Sequence, residues 1–335
     1  MKNIILAGTA ALMLFTFPMR AFADDGPPPQ SGTVIFNSIP SPLPGNVDSE
    51  GPEAYSFHEL GDGIAFPTGT GGVLTTIKVV LASWACVSGN WYTAGTCLTN
   101  PPHATFSQPI TMNVYQVDES NQAQPKAGAM IGSVTSTFQI PYRPSSNTTR
   151  CPDGQRWYDP ADGNCYHGLA VPLTFDFSRQ HISLPSEIVV GVAFNTETAG
   201  PTPLGPKSCD SPTFNNNADC PYDSLNISTY GDVFTNFDGT KPANHPLVSS
   251  VIDPNGIFVN YIIPANACNK TITPGVLEDD TVPNNGEPAS ETCFTGYHPE
   301  LEIRALCGGP HLPRCPSVVG GQPSADSDNQ GDEKE

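Results

Sequence analysis

Of 335 residues, 36 are proline and 31 are glycine, a fifth of the chain against about 12% in an average protein, and only 14% are charged. That composition excludes long surface helices, while 38% hydrophobic and 9% aromatic residues exclude wholesale disorder. A formal charge of −19 disfavours nucleic acid and anionic lipid as partners, because both require a basic face.

The chain opens like a secretory signal peptide over residues 1–23: Lys2 is followed by an apolar run from Ile4 to Phe17, and Ala21-Phe22-Ala23 is a small-x-small cleavage site. The run is too short to span a bilayer, and no later stretch approaches spanning length, so no transmembrane segment is expected in the mature chain. Cleavage removes Lys2 and Arg20 but no acid, taking the charge from −19 to −21. Residues 24–32, with Pro27-Pro28-Pro29, read as an extended leader.

A single domain is expected over 33–318. A first strand is predicted at Thr33 to Ile39, followed by a proline-rich stretch that forbids a regular element and a short strand around Tyr55 to Phe57. Val73 to Trp84 is β-branched and apolar on both faces, as a buried strand should be. Pro109 to Val117 sets Ile110, Met112 and Val114 on one face, and Met130 to Ile140 does the same with Val134, Phe138 and Ile140. Leu169, Val171, Leu173, Phe175 and Phe177 alternate strictly, and Pro172 between them predicts an edge strand or a bulge. Ile188 to Asn195 reads as a central strand; Leu225 to Thr229, Ile257 to Ile263 and Leu301 to Leu306 are weaker candidates. Residues 265–300 are expected to be an irregular acidic loop, and 319–335 a disordered acidic tail. Eight to ten strands separated by Pro/Gly loops predict an all-β fold, a jelly-roll-like antiparallel β-sandwich with long disulfide-stapled loops.

Ten cysteines in an apparently exported chain imply disulfides. Sequential pairing joins Cys86 to Cys97, Cys151 to Cys165, Cys209 to Cys220, Cys268 to Cys293 and Cys307 to Cys315. No CxxC occurs, so structural zinc and thioredoxin-like redox chemistry lack their spacing.

Enzyme templates fail. His58-Glu59 starts like a zincin helix but has no second histidine, and no G-x-S-x-G elbow or Walker loop occurs in the required setting. Three acidic patches carry calcium-type oxygens: Glu59 with Asp62, the Asp153, Asp159 and Asp162 group, and Asp253 with Asn255. Their competing role is turn formation beside Gly or Pro. All three tryptophans sit near cysteines. Trp91 and Tyr92 lie within one predicted staple and Trp157 and Tyr158 within another, a platform for sugar rings; the alternative is packing over the disulfides. Asn147, Asn226 and Asn269 begin N-glycosylation tripeptides.

Through LTTIKVVLASWACVSGNW, PITMNVYQV, TSTFQIPYRPS, LAVPLTFDF, LPSEIVVGVAFNT and CPYDSLN, the stretch from Leu74 to Asn226 resembles exported bacterial β-sandwich proteins of the choice-of-anchor type. The resemblance implies a jelly-roll-like surface domain with no catalytic residues to carry over. The chain departs from anchored members in lacking an LPxTG or Pro-Glu-Pro sorting signal.

The sequence therefore predicts a protein secreted to the extracellular space, cell surface or periplasm, with no catalytic residues. Its expected role is structural or glycan-binding through Trp91, Tyr92, Trp157 and Tyr158, with an extracellular glycan or cell-surface component as partner. No cofactor is required by any motif, and calcium at Glu59 and Asp62 is the one candidate. The alternatives are an extracellular hydrolase of polysaccharide or ester, and a purely structural module with buried tryptophans.

Overall fold

The computed structural model describes residues 32–52, 57–66, 72–118, 120, 126–194, 225–231, 249–252, 258–261, 277–279 and 297–308. The expected signal peptide over 1–23, the expected leader before residue 32, the expected acidic tail, the Asp253/Asn255 patch and Cys209, Cys220, Cys268, Cys293 and Cys315 lie outside them.

Among the described residues the fold is all-β and every strand pairing is antiparallel. The N-terminal half supplies β1 (Thr33–Asn37), β2 (Ser49–Glu50), β3 (Phe57–Ala65), β4 (Gly72–Ser83), β5 (Thr105–Asp118) and β6 (Lys126–Pro141). Next come β7 (Trp157–Tyr158), β8 (Cys165–Tyr166), β9 (Leu169–Asp176), β10 (Ser183–Leu184) and β11 (Glu187–Ala193). The remainder is β12 (Leu225–Gly231), β13 (Ser250–Val251), β14 (Phe258–Tyr261), β15 (Leu277–Asp279), β16 (Tyr297–Pro299) and β17 (Leu301–Leu306). One sheet runs β1-β17-β4-β12-β16, with β9 and β10 also on β4 and β2 on β12; the other runs β15-β14-β3-β11-β5-β6, with β13 on β3. β7 and β8 form a separate two-stranded ribbon.

The two sheets bury their facing apolar residues in one shared core. Ile77, Val79 and Leu81 of β4, Val171, Leu173 and Phe175 of β9 and Ile303 of β17 meet Leu60, Ile64, Ile110, Met112, Ile188 and Val190 of the opposite sheet. Each fully buried side chain of this size contributes about 1.5–3 kcal/mol. β4 is the strand predicted to be buried on both faces, and its outward Val80 and Ala82 are covered by Ile39, Leu43 and Val47. The proline-rich segment thus forms no strand of its own over 39–47 but closes the back of the sheet. Register explains one irregularity: Ala305 pairs with Leu74 and Arg304 with Thr76, so Thr75 is an extra residue, and Leu74 and Ile77 both reach the core.

β9 pairs only with β4 among the described residues and Pro172 is exposed, as expected of a proline that cannot donate to a ladder. β11 lies between β3 and β5, an interior strand as predicted. Three expectations differ from the structure. The proline-rich stretch expected to hold no regular element contains β2, whose Ser49 and Glu50 pair with Ser228 and Ile227 of β12. Residues 265–300 are not wholly irregular, because Leu277–Asp279 pairs with β14 and Tyr297–Pro299 with β12. The short strand expected at Tyr55 to Phe57 is instead nine residues, Phe57–Ala65, running through the supposed acidic turn. Gly61 permits this, since a Cβ there would stand 2.0 Å from the Val190 carbonyl oxygen of β11. No helix among the described residues is long and apolar enough to cross a membrane.

Candidate functional site

One end of the sandwich carries a cap made of the two segments between β4 and β5 and between β6 and β9. Cys86–Cys97 staples the first and Cys151–Cys165 the second, both in the predicted sequential pairing. Cys307 is also disulfide-bonded. Neither segment has an apolar period to organise it, so its order comes from staples and hydrogen bonds. Gly95 N–H donates to the Gly154 carbonyl at 2.8 Å and Gln155 Nε2 to the Tyr92 carbonyl at 2.8 Å, locking one segment to the other.

Arg143 is the hub. Its side chain is fully buried, and its guanidinium donates to the carbonyls of His167 at 2.6 Å, Pro144 at 3.3 Å and Gln155, and to Ser146 Oγ at 3.1 Å. Its backbone N–H donates to the Ala85 carbonyl at 3.1 Å, and its carbonyl accepts from Thr99 Oγ1 at 2.6 Å. Burial pulls the guanidinium down to about 10, against a smaller upward pull from Asp153, so it is charged at neutral pH. A planar fork with five donors suits a ring of carbonyls that no other side chain could satisfy together.

Over this hub lies an aromatic cluster. The His167 ring stacks on Trp84 at 5.4 Å and 6°, and Trp91 stands edge-on to Trp84 at 4.8 Å and to Tyr92 at 5.5 Å. Such edge-on pairs add about 0.5–1.5 kcal/mol beyond area burial. Desolvation, and then the charge of Arg143, hold the His167 ring below its usual range, keeping it neutral at pH 7. Tyr92 is 42% exposed and Leu98 49% exposed on the same staple, and Trp91 is half-buried.

The four predicted aromatic residues are therefore not equivalent. Trp91 and Tyr92 stand together at the surface of the cap. Trp157 is buried, donates its indole N–H to the Gly168 carbonyl at 2.6 Å and packs against Tyr166 at 5.5 Å, which withdraws it from any ligand. Tyr158 is half-buried with the Arg150 guanidinium 4.4 Å over its ring.

The acidic patches resolve differently. Glu59 and Asp62 lie on opposite faces of β3 and do not converge on one ion. Glu59 accepts from Asn113 Nδ2 at 2.8 Å and from the Tyr115 hydroxyl at 3.0 Å, in space kept open by Gly191, where a Cβ would be 2.1 Å from the carboxylate. Desolvation and then the Glu59 charge push the Tyr115 hydroxyl well above its usual range. Asp62 points inward between Leu60 and Ile64 and meets His298 Nδ1 at 2.8 Å, the two side chains 3% and 1% exposed. This pair ties β3 to β16 across the sandwich and is screened from a substrate. Asp153, Asp159 and Asp162 each accept a backbone N–H two residues onward, from Gln155, Ala161 and Asn164 at 2.9 Å, which is the turn-forming role. No group of three or more metal-ligating side chains occurs among the described residues.

Sequence reasoning missed Arg143 and His167. A signal existed for the first: Arg143 is the only charged residue between Lys126 and Arg150, and it lies between two predicted staples. Replacing Cys86 and Cys97 together by alanine is expected to cost about 3 kcal/mol, given their separation of 11 residues. A urea midpoint equal to that of the parent protein would show that the staple adds nothing to the cap.

No family model matches the chain, and searches of curated proteins and of solved structures found no match.

Proposed function

We propose that the chain is an exported, non-catalytic β-sandwich protein that binds a neutral glycan through the Trp91–Tyr92 edge of its loop cap. The observation that carries this reading is an exposed aromatic edge held on a pre-organised base: Tyr92 is 42% exposed, while the cap beneath it is fixed by two disulfides and the buried Arg143. Aromatic side chains held in place before binding lose little entropy when a sugar ring stacks on them. Disulfides support an oxidising destination, in keeping with the signal-like residues 1–23. The net charge favours uncharged ligands over polyanions.

Tyr92→Ala is expected to reduce retention on a neutral glycan array about tenfold, while stability falls only by the about 0.5–1.5 kcal/mol of the lost edge contact with Trp91. Equal retention of the variant and the parent protein, or no retention of either, would overturn the reading. A second reading, a structural module without a ligand, is favoured by the burial of Trp157 and by the mutual packing of Trp84, Trp91 and His167.

A further inference from the structure

Beneath the strap of residues 39–50, the apolar cover of Val80 and Ala82 gives way to oxygen atoms brought in by three elements. Glu300 comes from the junction of β16 and β17, Ser228 from β12, and Asp48 from the strap itself. Backbone bonds fix their places. The Glu300 N–H donates to the Ser228 carbonyl at 3.2 Å, its carbonyl accepts from the Val80 N–H at 3.1 Å, and the Asp48 carbonyl accepts from the Thr229 N–H at 2.9 Å. Both the Ser228 hydroxyl and the Asp48 charge act on the Glu300 carboxyl. Glu300 is 4% exposed and Ser228 is fully buried, yet Glu300 Oε2 and Ser228 Oγ have no hydrogen-bond partner. Buried polar atoms are nearly always bonded, so two that converge without bonding call for a partner that both can reach.

The charges select that partner. A water molecule would satisfy the unbonded atoms but leave two ionised carboxylates facing each other, and buried charges are paired or coordinate metal ions. The neighbouring cations, Lys78 and Arg304, are both engaged by Glu302, at 3.2 and 2.8 Å. Glu50 pairs with Ile227, whose side chain lies in the core, so it faces the other side of the sheet. The donors are oxygen only, without histidine or cysteine, which suits calcium rather than zinc or copper. Two carboxylates match its double charge and, with the hydroxyl, provide about five of its six to eight oxygens. Half-buried Asp48 leaves a path from solvent for the ion and for the waters that complete its shell. Two acids and a hydroxyl are compatible with the lack of any group of three acids, histidines or cysteines among the described residues.

We propose that Asp48, Ser228 and Glu300 bind a calcium ion that pins the strap to β12 and β17. The site lies on the sheet opposite β3, which carries Glu59 and Asp62, and it does not depend on the glycan reading. A proton neutralises the same carboxyl pair, so protons compete with the ion and calcium gains as pH rises.

The test is thermal unfolding and calcium titration calorimetry of the full-length oxidised protein at pH 8, after exhaustive chelation. The variants are Asp48→Asn and Glu300→Gln, which keep shape and remove a buried charge, so that both fold, and Asp162→Asn in the cap as a control. Calcium at about 5 mM is expected to raise the midpoint of the parent protein by roughly 3–5 °C, with a single ion bound per chain and a Kd on the order of 10⁻⁴ M. The rise should vanish in Asp48→Asn and Glu300→Gln, persist in Asp162→Asn, and shrink at pH 5, where protons hold the acids. No rise in the parent protein, an equal rise with sodium chloride at matched ionic strength, or a rise that survives in Glu300→Gln would overturn the proposal. A rise lost in Asp162→Asn but kept in the other two variants would put calcium in the cap and overturn it as well.

Discussion

Arg143→Leu is expected to lower the free energy of unfolding by about 3–5 kcal/mol, the cost of orphaning buried groups that were built around a charge. Leucine fills part of the volume but offers no donor, so the carbonyls of Gln155 and His167 lose their guanidinium partner inside the cap. Replacing a whole buried polar network by apolar groups can be neutral; here three of the four acceptors, the Pro144, His167 and Gln155 carbonyls, are backbone and stay in place. Arg143→Lys retains the charge but has three donors on a flexible stem and no fork, so it should recover only part of the loss. Urea unfolding reads the stability, and near-ultraviolet circular dichroism reads the ordering of Trp84 and Trp91. A leucine variant within 1 kcal/mol of the parent protein, with unchanged aromatic dichroism, would mean that the cap stands without its hub.

The second large effect is a pH dependence centred on Glu300, at the junction of β16 and β17. The backbone of this residue stitches two strands: its N–H donates to the Ser228 carbonyl at 3.2 Å, and its carbonyl accepts from Val80 N–H at 3.1 Å. The carboxyl group is thereby carried into the sheet, where desolvation, reinforced by the Asp48 charge and opposed by the Ser228 hydroxyl, pushes it up to about 8 from an ordinary 4.5. The sign follows from proton binding. Below pH 4.5 both the folded and the unfolded chain hold this proton, and the stabilisation is fully present. Between pH 4.5 and 8 only the unfolded chain releases it, so stability falls as pH rises and the loss is complete above 8. The full span is as much as about 5 kcal/mol.

Glu300→Gln keeps the shape and removes the ionisation. Relative to the variant, the parent protein should lose stability steadily from pH 5 to pH 8. Parallel stability curves for the two proteins would refute the assignment. Carboxylates held low by hydrogen bonds, Asp118 through Ser120 and Asp176 through Ser178, act in a lower pH range and cancel in the comparison.

Much of the sandwich was legible because strand period and burial are local signals. The alternation through Val171, Leu173 and Phe175 and the two-sided apolar run of β4 each give a strand without knowledge of its partner. Cysteines 11 and 14 residues apart, bracketing polar segments, likewise suggested their own pairing. β3 was harder. Its sequence FHELGDGIA holds two glycines and two acids that argue against a strand, and each is explained only by a distant residue. Gly61 faces Val190, Gly63 faces Ile252 and Phe258, Glu59 faces Asn113 and Tyr115, and Asp62 faces His298, which is 236 positions away. The cap was legible as stapled and aromatic, but its geometry was not, because buried hydrogen bonds have no period. Trp157 and Trp91 read alike in sequence; the difference is the Gly168 carbonyl that takes the Trp157 indole proton.

In the proposed role the capped end is ordered before any ligand arrives and presents Trp91 and Tyr92 to a neutral glycan. Amide hydrogen exchange of the intact, oxidised protein, with and without a neutral oligosaccharide panel, tests it most directly. Residues 86–97 and 151–168 are expected to exchange slowly without ligand, comparably to β4 and β11, and a binding glycan is expected to slow exchange further around Trp91 and Tyr92. Rapid exchange through both stapled segments, or no footprint at the aromatic edge with any member of the panel, would contradict it.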